Sequence, residues 1–434
     1  MEAPNSSAEG TFSDWGSPEI AATGRVSCGR GMYDSCAFDQ VALSSGAKAL
    51  PRSIMSPPRA HILYIIDELC RLGGAERALR NTIRLLPKDR FNCSLITFRA
   101  DSSLEVFSSF PCLTKVLPLR RTYDSNALQV AMQIRKVIRS QRVSIVHTFF
   151  ETSDLWGAPI AKLSGCPIIV SSRRDMGILR RPKHQVAYRF VNPLFDRIIA
   201  VSEQVRSYCI HQDRLDPAKV VTVYNGVDLN ETPMNGTDSL RHALGVGEAS
   251  EIVVTLGHIR RVKGIDIFVR AAEIVRREFP AAKFLVVGDA SETEHAKELQ
   301  ELIAALGLQD SVKFVGNRLD AFRILKCCDV FCLLSRSEGF SNALIEAMAA
   351  GLPCVATRVG GNGEAIAEDE SGYLVENEDV RGAAERILHL LRNPARAREM
   401  GAAGRRTVET KFTSQAMIQQ LTNIYDGLLN SQRR

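Results

Sequence analysis

From Ala60 onward, short runs of apolar and β-branched residues alternate with longer amphipathic stretches. This alternation is the pattern of repeated βα units, whose strands are buried on both faces of a parallel sheet. The strands fall into two series, separated by the turn-rich segment VYNGVDLNETPMNGTDSL. We therefore predict an α/β fold of two Rossmann-like, doubly wound parallel-sheet domains that face a central cleft.

Thirteen strands are predicted from the apolar runs. The first series comprises Ile62–Ile66, Cys93–Thr97, Lys115–Leu119, Ser144–His147, Ile168–Ser171, Ile198–Val201 and Val220–Val223. The second series comprises Ile252–Leu256, Lys283–Val287, Val312–Val315, Val330–Leu334, Pro353–Ala356 and Gly372–Val375.

The chain of 434 residues is long enough for two domains of this kind. We predict an N-terminal domain over residues 60–228, a C-terminal domain over 229–412, and a helix over 413–434 that packs back toward the N-terminal domain. Residues 1–59 are rich in Ser, Gly, Ala and Pro and predict a disordered extension. Alternatively, they are not translated and the chain starts at Met55.

No apolar run approaches the roughly 18 residues that cross a bilayer, and the first thirty residues lack the pattern of a signal peptide. Eleven cysteines are scattered without a C-x-x-C pair, so neither a zinc ribbon nor a disulfide framework is indicated. We expect a soluble, cytoplasmic protein.

Basic residues are concentrated in the first half of the chain. Residues 60–229 contain 25 Lys and Arg against 15 Asp and Glu, whereas residues 230–434 contain 25 against 28. This excess indicates either an anionic acceptor or membrane surface, or a solvated face without a partner. Nucleic acid is not expected, because aromatic residues are few and no nucleic-acid-binding motif accompanies the charges. The basic residues in predicted loops are Arg120, Arg121, Arg173, Arg174, Arg180, Arg181 and Lys183.

The segment EGFSNALIE places two carboxylates, Glu338 and Glu346, on either side of a turn that follows the predicted strand Val330–Leu334. The first carboxylate lies on the strand-to-helix turn and the second lies inside the helix. Free backbone N–H groups at the helix start lie between them, and such groups bind phosphates. A second glycine-rich turn, Gly360–Glu364, follows the next strand, so we expect two anion-accommodating turns side by side.

The turn GHIRRVKGID follows the first strand of the second series and supplies Arg260, Arg261 and Lys263. In open parallel sheets, ligands bind beyond the carboxyl ends of the strands. An arginine fork and a lysine at that position would neutralise a departing diphosphate. A solvated basic triplet is the alternative.

Two features of the first half also lie at or beyond the carboxyl ends of predicted strands, where ligands bind in open parallel sheets. Gly73 and Gly74 precede a predicted helix, where an anion could approach the backbone, although a tight βα turn explains them equally well. His147 ends the predicted strand SIVH, where an imidazole could contact a substrate or serve as a structural residue.

Several ligand classes lack their motifs in this sequence. There is no G-x-G-x-x-G for a nicotinamide cofactor, no Gly-Lys dipeptide of a P-loop, and no D-x-D triplet to hold a divalent ion. We therefore expect neither a metal nor a separate cofactor. Diphosphate charge would be met by Arg260, Lys263 and helix N-termini.

The motifs together resemble one family. LGHIRRVKGID, FVGNRLD, RSEGFSNALIEAMAAGLPCVAT, VGGNGEAI and SGYLV in the second half are similar to those of the retaining nucleotide-sugar glycosyltransferases of the family 4 type, which have the GT-B fold. GGAER, the strand ending at His147, SSRRD and YNGVD agree in the first half. The resemblance covers about residues 60–430 and is most specific in the two-carboxylate motif.

By position, the resemblance implies a role for each matching residue. The nucleotide ribose would be bound by Glu346, and the sugar and diphosphate by Glu338 with the backbone of Phe340, Ser341 and Asn342. The remaining assignments are the diphosphate pair Arg260 and Lys263, the reaction-centre histidine His147, the phosphate-proximal glycine Gly74, and the base-contacting turn Gly316 and Asn317. Many family members have arginine where this chain has His258, so Arg260 matches a variant spacing.

The resemblance implies a metal-independent, retaining hexosyltransferase. It further implies that residues 60–228 form the acceptor domain and residues 229–412 the nucleotide-sugar donor domain. The enzyme would move a sugar from a UDP- or GDP-sugar to an acceptor hydroxyl on a glycan or lipid-linked acceptor, in polysaccharide, lipopolysaccharide or glycolipid assembly. The basic first half adds the expectation of a peripheral position on the inner membrane face. Two alternatives are a nucleotide-sugar epimerase of the same architecture and a nucleotide-sugar binding protein without turnover.

Overall fold

A computed structural model describes residues 59–70, 73–100, 109–177, 180–229, 238–247, 250–290 and 292–432. The predicted extension, apart from Arg59, lies outside these ranges.

The described strands form two sheets in which every pairing is parallel. The strands of the first sheet are β1 Ala60–Leu69, β2 Phe91–Ala100, β3 Leu113–Val116, β4 Ile145–Phe149, β5 Ile168–Arg173, β6 Arg197–Ala200 and β7 Val220–Thr222. Those of the second are β8 Ile252–Leu256, β9 Lys283–Val287, β10 Val312–Gly316, β11 Val330–Leu333, β12 Cys354–Thr357 and β13 Gly372–Val375.

The strand order is β3-β2-β1-β4-β5-β6-β7 in the first sheet and β10-β9-β8-β11-β12-β13 in the second. Each order reverses once, between β1 and β4 and between β8 and β11. This reversal defines a doubly wound sheet and creates a crevice beyond the strand ends at that point. The predicted α/β fold with two Rossmann-like parallel-sheet domains is confirmed.

The apolar runs form strands because both of their faces are covered. On β1, Leu63 and Ile65 belong to one apolar cluster, whereas Ile62, Tyr64 and Ile66 belong to another. All five side chains are fully buried. A strand buried on both faces reads as a continuous apolar run, and this is why the sheets were predictable.

Helices connect the strands. Those of the first half are α1 Gly74–Leu85, α2 Ser125–Ser140, α3 Ala158–Leu163, α4 Pro182–Val191 and α5 Glu203–His211, and a π-helical turn Ser153–Gly157 runs into α3. Those of the second half are α6 Asp238–Ala243, α7 Ile265–Glu278, α8 Thr293–Ala305, α9 Ala321–Lys326, α10 Asn342–Ala349, α11 Asn362–Ala365, α12 Val380–Arg392, α13 Pro394–Lys411 and α14 Ser414–Ser431. Short 3₁₀ turns lie at Asn192–Leu194 and Arg261–Lys263.

The last helix, α14, covers the apolar face of the first sheet. Its buried side chains Met417, Ile418, Leu421 and Tyr425 belong to the same cluster as Tyr64 of β1. The chain reaches this position by passing beside the segment around Val227, which leads from the first sheet toward the second. The N–H of Val227 donates to the Phe412 carbonyl at 2.9 Å, and the N–H of Ser414 donates to the Val227 carbonyl at 2.9 Å.

Gly226 is required at this crossing, because a Cβ there would lie 2.4 Å from the carbonyl carbon of Thr413. The two passing segments are therefore in direct backbone contact. The limits 60–228, 229–412 and 413–434 stay predictions, and the crossing lies beside both internal limits.

Most predicted strands differ from the observed strands by a few residues at one or both ends, and the difference at β4 changes the position of a predicted site residue. The prediction ended β4 at His147, but the strand continues to Phe149, with Thr148 and Phe149 paired to Ser171 and Ser172 of β5. Phe149 extends the apolar run, so His147 lies inside the strand. Within the described ranges, no helix is both long and apolar enough to span a membrane.

Candidate active site

The two strand-order reversals bring together most of the predicted site residues. In the second sheet, β8 leads into the turn that carries Lys263, and β11 leads into the turn that carries Glu338. The Lys263 Nζ donates to Glu338 Oε1 at 2.7 Å, and the Ser335 hydroxyl donates to the same oxygen at 2.7 Å. The pair therefore lies in the crevice where parallel-sheet proteins bind ligands.

Gly264 allows Lys263 to lie close to β11. Its φ of +62° is left-handed, and a Cβ there would lie 1.9 Å from the Leu334 carbonyl oxygen. A side chain at this position would separate the two turns. The sequence VKGID thus builds the pair through a conformation and a close approach that glycine permits.

The first turn of α10 faces the first sheet. Ser341 caps the helix by accepting from the Leu344 N–H at 3.4 Å. The next residue, Asn342, donates from Nδ2 to the Gly74 carbonyl at 2.8 Å. Its side-chain oxygen accepts from Asn225 Nδ2 at 2.7 Å. The N-terminus of α10 is therefore in contact with the loop that ends at Gly74, the Gly74 loop. This proximity is needed if both are to contact the phosphates of one donor.

Glu346, the predicted ribose ligand, lies one turn further along α10. Arg77 of α1 approaches it, with 3.3 Å between Arg77 Nη1 and Glu346 Oε1. Burial raises the pKa of the Glu346 carboxyl, and Arg77 partly offsets this rise. The Glu346 side chain is half-buried, and a carboxylate with one cationic neighbour has lone pairs available for ribose hydroxyls.

The turns after β8, β9 and β10 lie next to one another at the same edge. The N–H of Gly288 donates to the Gly316 carbonyl at 2.9 Å, and a Cβ on Gly288 would lie 1.9 Å from the Gly257 carbonyl oxygen. Gly257 in turn lies against the Lys263 side chain. Gly316 and the adjacent Asn317 are exposed at the outer end of this row, which leaves them accessible to a ligand.

Arg260 lies beside the site with its charge already paired. Its Nε is 3.5 Å from Glu292 Oε1, and both side chains are about two-fifths exposed. Exposed ion pairs of this kind are weak, so a diphosphate could replace Glu292. The roles assigned to Arg260, Lys263, Gly316 and Asn317 stay predictions.

His147 lies beneath the site and is 1% exposed. Its Nδ1 is 2.7 Å from the Tyr425 hydroxyl and its Nε2 is 2.9 Å from the Ser172 hydroxyl. Burial, together with the positive charge of Arg174, lowers the pKa of His147 to about 3. The ring is therefore neutral and has both nitrogens engaged. Its reaction-centre role stays a prediction, and in this arrangement it would act through its neighbours.

Phe340 is likewise occupied by packing. Its ring lies 5.1 Å from the rings of both Tyr224 and Phe412, measured between centroids. The side chain therefore joins the two halves of the molecule, and only its backbone is available for the predicted sugar and diphosphate contact.

The Gly73–Gly74 turn already has an acidic neighbour. Hydrogen bonds from the backbone N–H groups of Glu76 and Gly73 reach the Glu76 carboxylate. Burial nevertheless raises the pKa of that carboxyl. The start of α1 thus carries its own anion, which a ligand phosphate would have to displace.

Glu364 was not predicted as an individual functional residue. Its carboxylate accepts the N–H groups of Glu203 and Gln204, each at 2.8 Å, and the hydroxyl of Tyr224 at 2.8 Å. Glu364 thereby caps α5 from the other half of the chain. The glycine-rich turn Gly360–Glu364, predicted to accommodate an anion, instead packs against the neighbouring turn: a Cβ on Gly360 would lie 1.8 Å from the Glu338 carbonyl oxygen.

A cavity of about 170 Å³ opens beyond the reversal point of the first sheet. It is lined by residues at or beyond the carboxyl ends of β1, β4 and β5, including Asp67, Glu151, Arg173, Arg174 and Arg180. The sequence signal was the SSRRD motif at the end of β5. In the part of the chain that the structure describes, no group of three or more His, Cys, Asp or Glu side chains is arranged to hold a metal ion.

Two protein-family descriptions match the chain. "Glycosyltransferase Family 4" matches residues 72–231, and "Glycosyl transferases group 1" matches residues 237–407. The first match covers β2 to β7 of the first sheet, the second match covers all six strands of the second sheet, and the two meet near the segment that joins the sheets.

Individual proteins show the same similarity. The N-acetyl-alpha-D-glucosaminyl L-malate synthase of Bacillus anthracis is 30% identical over 317 residues, which are 72% of this chain and 82% of the relative. The UDP-Gal:alpha-D-GlcNAc-diphosphoundecaprenol alpha-1,3-galactosyltransferase of Escherichia coli is 26% identical over 326 residues, 71% of this chain and 82% of the relative.

Among solved structures, Anabaena Alr3699/HepE in complex with UDP has a TM-score of 0.74 and 22% identity, and the alignment covers 85% of this chain and 100% of HepE. This likeness concerns the fold, whereas the two sequence relatives and the family descriptions concern the enzyme class. The predicted glycosyltransferase is confirmed at that level. The chain belongs to the family 4 type of glycosyltransferases with the GT-B fold.

Proposed function

We propose that the protein transfers a sugar, with retention at the anomeric carbon, from a UDP- or GDP-sugar to an acceptor hydroxyl. The observation that carries this proposal is the paired Lys263 and Glu338 beside the start of α10, which faces the Gly74 loop across the crevice. A nucleotide diphosphate fits this arrangement, because cationic side chains and helix N–H groups converge on one side. The UDP in the HepE structure and the UDP-Gal in the relative's name favour UDP.

The charges act most strongly as the donor bond breaks. The bond between the anomeric carbon and the diphosphate oxygen gives its electron pair to the leaving group, so negative charge grows there. Lys263, Arg260 and the α10 terminus stabilise this charge more in the transition state than in the ground state. Glu338 holds Lys263 in place until the donor arrives.

Retention follows from attack on the face that the diphosphate leaves. The acceptor oxygen bonds to the anomeric carbon, and its proton passes to the departing phosphate. Glu338 is engaged by Lys263 and Ser335, so we assign it to sugar contact and not to covalent catalysis. The resulting mechanism uses neither a protein nucleophile nor a metal.

The acceptor in this proposal is a glycan or lipid-linked molecule with negative charge, used in polysaccharide, lipopolysaccharide or glycolipid assembly. The names of the two sequence relatives contain L-malate and diphosphoundecaprenol, both anionic. The basic excess in residues 60–229 supports the same class.

A surface on the first half supports action at the cytoplasmic face of a membrane. Leu128 and Met132 of α2 and Val186 and Phe190 of α4 are more than half exposed, as is Tyr123. Exposed basic residues lie on the same helices or next to them: Arg120, Arg121, Arg135, Lys136, Lys183 and Arg189. Exposed apolar and cationic side chains on the same helices suit an anionic lipid surface.

Flotation with anionic vesicles tests this surface. Replacing Leu128 and Met132 by Ser should reduce binding at low salt, because apolar insertion is lost. The matched control is Leu319→Ser, which removes a fully exposed leucine from the second half. Equal flotation of all three proteins, or none by the wild type, would reject the surface.

Purified enzyme offered a panel of UDP- and GDP-sugars tests the reaction. We expect nucleotide release in the presence of a chelator and faster release when an anionic acceptor is added. The anomeric configuration of the product should be the same as that of the donor. Donor conversion without acceptor and without nucleotide release would indicate the epimerase. Strict dependence on Mg²⁺ or Mn²⁺ would contradict the metal-free mechanism, and binding without any turnover would contradict the enzyme.

A further inference from the structure

The cavity beyond the first sheet contains three arginines, and two of them have a carboxylate partner. Arg173 Nε lies 3.4 Å from Asp154 Oδ2, and both side chains are buried. Arg180 Nη1 lies 2.7 Å from Asp213 Oδ1. These two cations are neutralised inside the protein and help to build the cavity wall.

The acidic residues of the same cavity are also engaged. Asp67 accepts the N–H groups of Thr152 and Ser153 at 2.8 and 2.6 Å, so it caps the helical turn after β4. Glu151 contacts His184 and lies 3.9 Å from Arg180. Asp175 accepts the Gly177 N–H at 2.6 Å. Each carboxylate thus has a local partner other than Arg174.

Arg174 differs from the other two arginines. Within the described residues, no carboxylate lies inside the 4.0 Å ion-pair distance of its guanidinium. Its Nη2 donates to the Asn225 side-chain oxygen at 2.8 Å, and the group stands 6.0 Å from the Phe149 ring centroid. Burial lowers the pKa of Arg174 to about 10, although the more distant Glu76 favours its charge. Arg174 is half-buried, and a cation that has lost much of its hydration without gaining an anionic partner in contact is destabilising.

Arg174 stands between the cavity and the donor crevice. Its backbone carbonyl packs against Gly339, where a Cβ would lie 1.9 Å from the oxygen. Its side chain reaches the start of α10 through Asn225 and Asn342, in hydrogen bonds of 2.8 and 2.7 Å. An anion bound on the cavity side of Arg174 would therefore hold the rest of its molecule next to the Glu338 turn.

From this position and the missing counter-charge, we propose that Arg174 is the specificity-determining cation of an acceptor subsite. The subsite takes a phosphate or carboxylate group of the acceptor in the cavity beyond β1, β4 and β5. The inference rests on the proposed function, since it assigns the donor to the opposite crevice.

The test is a binding titration on the full chain with saturating UDP or GDP, whichever binds, so that the donor site is filled. Glycerol 3-phosphate and L-malate serve as anionic probes, and glycerol is the neutral match. We expect the wild type to bind the anionic probes and Arg174→Ala to bind them at least about tenfold more weakly. Arg174→Gln, which keeps a donor for Asn225, should show the same loss if Arg174→Ala fails to fold.

The control is Arg406→Ala, which removes an exposed arginine of α13. It should leave the affinity for the nucleotide and the affinity for the anionic probes unchanged. Equal probe affinity in the wild type and a folded Arg174 variant would overturn the proposal, as would a wild type that binds neither anionic probe. A loss confined to UDP or GDP would assign Arg174 to the donor and also overturn it. Failure of the wild type to bind either nucleotide would instead reject the proposed function, because that measurement does not involve Arg174.

Discussion

At the scale of single residues, Lys263 carries the largest share of the proposed catalysis. Replacing it by Ala should lower kcat/KM on the order of 100-fold, or about 3 kcal/mol, because a charge that stabilises the leaving diphosphate is lost. The measurement is nucleotide release from the preferred donor. Lys297→Ala, an exposed lysine of α8, is the matched control. A folded Lys263→Ala enzyme with full activity would remove this residue from the mechanism.

The burial of His147 predicts how the stability of the protein depends on pH. Its pKa in the folded protein is about 3, against an ordinary value of 6.5. Between these values the unfolded chain binds a proton that the folded chain does not, so stability falls as the pH falls. The contribution approaches about 1.4 kcal/mol per pH unit.

Urea unfolding near pH 7 and near pH 5 should therefore show a shallower pH dependence for His147→Gln than for the wild type. His211→Gln, on the surface of α5, serves as the control and should keep the wild-type slope. Identical slopes for all three proteins would show that the His147 ring does take up a proton in the folded state.

At the scale of elements, Glu364 of the second half connects the halves by capping helix α5 of the first half. Glu364→Ala removes the acceptor for two N–H groups at the start of α5 and should reduce the free energy of unfolding by about 1 to 2 kcal/mol. Glu364→Gln keeps an acceptor oxygen and should lose less. Glu376→Ala, at an exposed ion pair, should change little. Equal denaturation midpoints for the Glu364 and Glu376 variants would refute the capping role.

The strands of the two sheets could be predicted from the sequence because they depend on local patterns. Runs such as Ile252–Leu256 and Lys283–Val287 match the observed strands residue for residue. The turns after β8 and β11 carry Lys263 and Glu338, and parallel topology brings such turns to one edge of the sheet. Fold class and the approximate site thus follow from periodicity and turn position.

Contacts between the two halves could not be predicted in the same way. Arg77 with Glu346, and Asn225 with Asn342, are far apart in the sequence and meet only when both sheets are complete. Nothing local distinguishes Glu364, which caps a remote helix, from a phosphate-binding turn residue. His147 was placed at a strand end because Thr148 and Phe149 were not counted as part of the strand.

At the scale of the whole molecule, α14 completes the core of the first sheet. Tyr425→Phe keeps the ring but removes the hydroxyl that lies 2.7 Å from His147 and 3.3 Å from the Tyr64 hydroxyl. It should reduce the free energy of unfolding by about 1 to 3 kcal/mol, because His147 Nδ1 is left buried without its partner.

Denaturant unfolding of the full chain measures this change. Tyr123→Phe, on an exposed tyrosine of the first half, is the control and should fall within about 0.5 kcal/mol of the wild type. A Tyr425→Phe protein as stable as its control would mean that α14 stabilises the first sheet by apolar packing alone.

The placement of α14 also sets an order for biosynthesis. A ribosome makes the strands of the first sheet early, yet the helix that covers one of their faces emerges only after the entire second sheet has been translated. Until then, the nascent chain exposes an apolar surface around Tyr64 to solvent or to a chaperone. All strands of the second sheet have therefore been synthesised before this face of the first sheet can be covered.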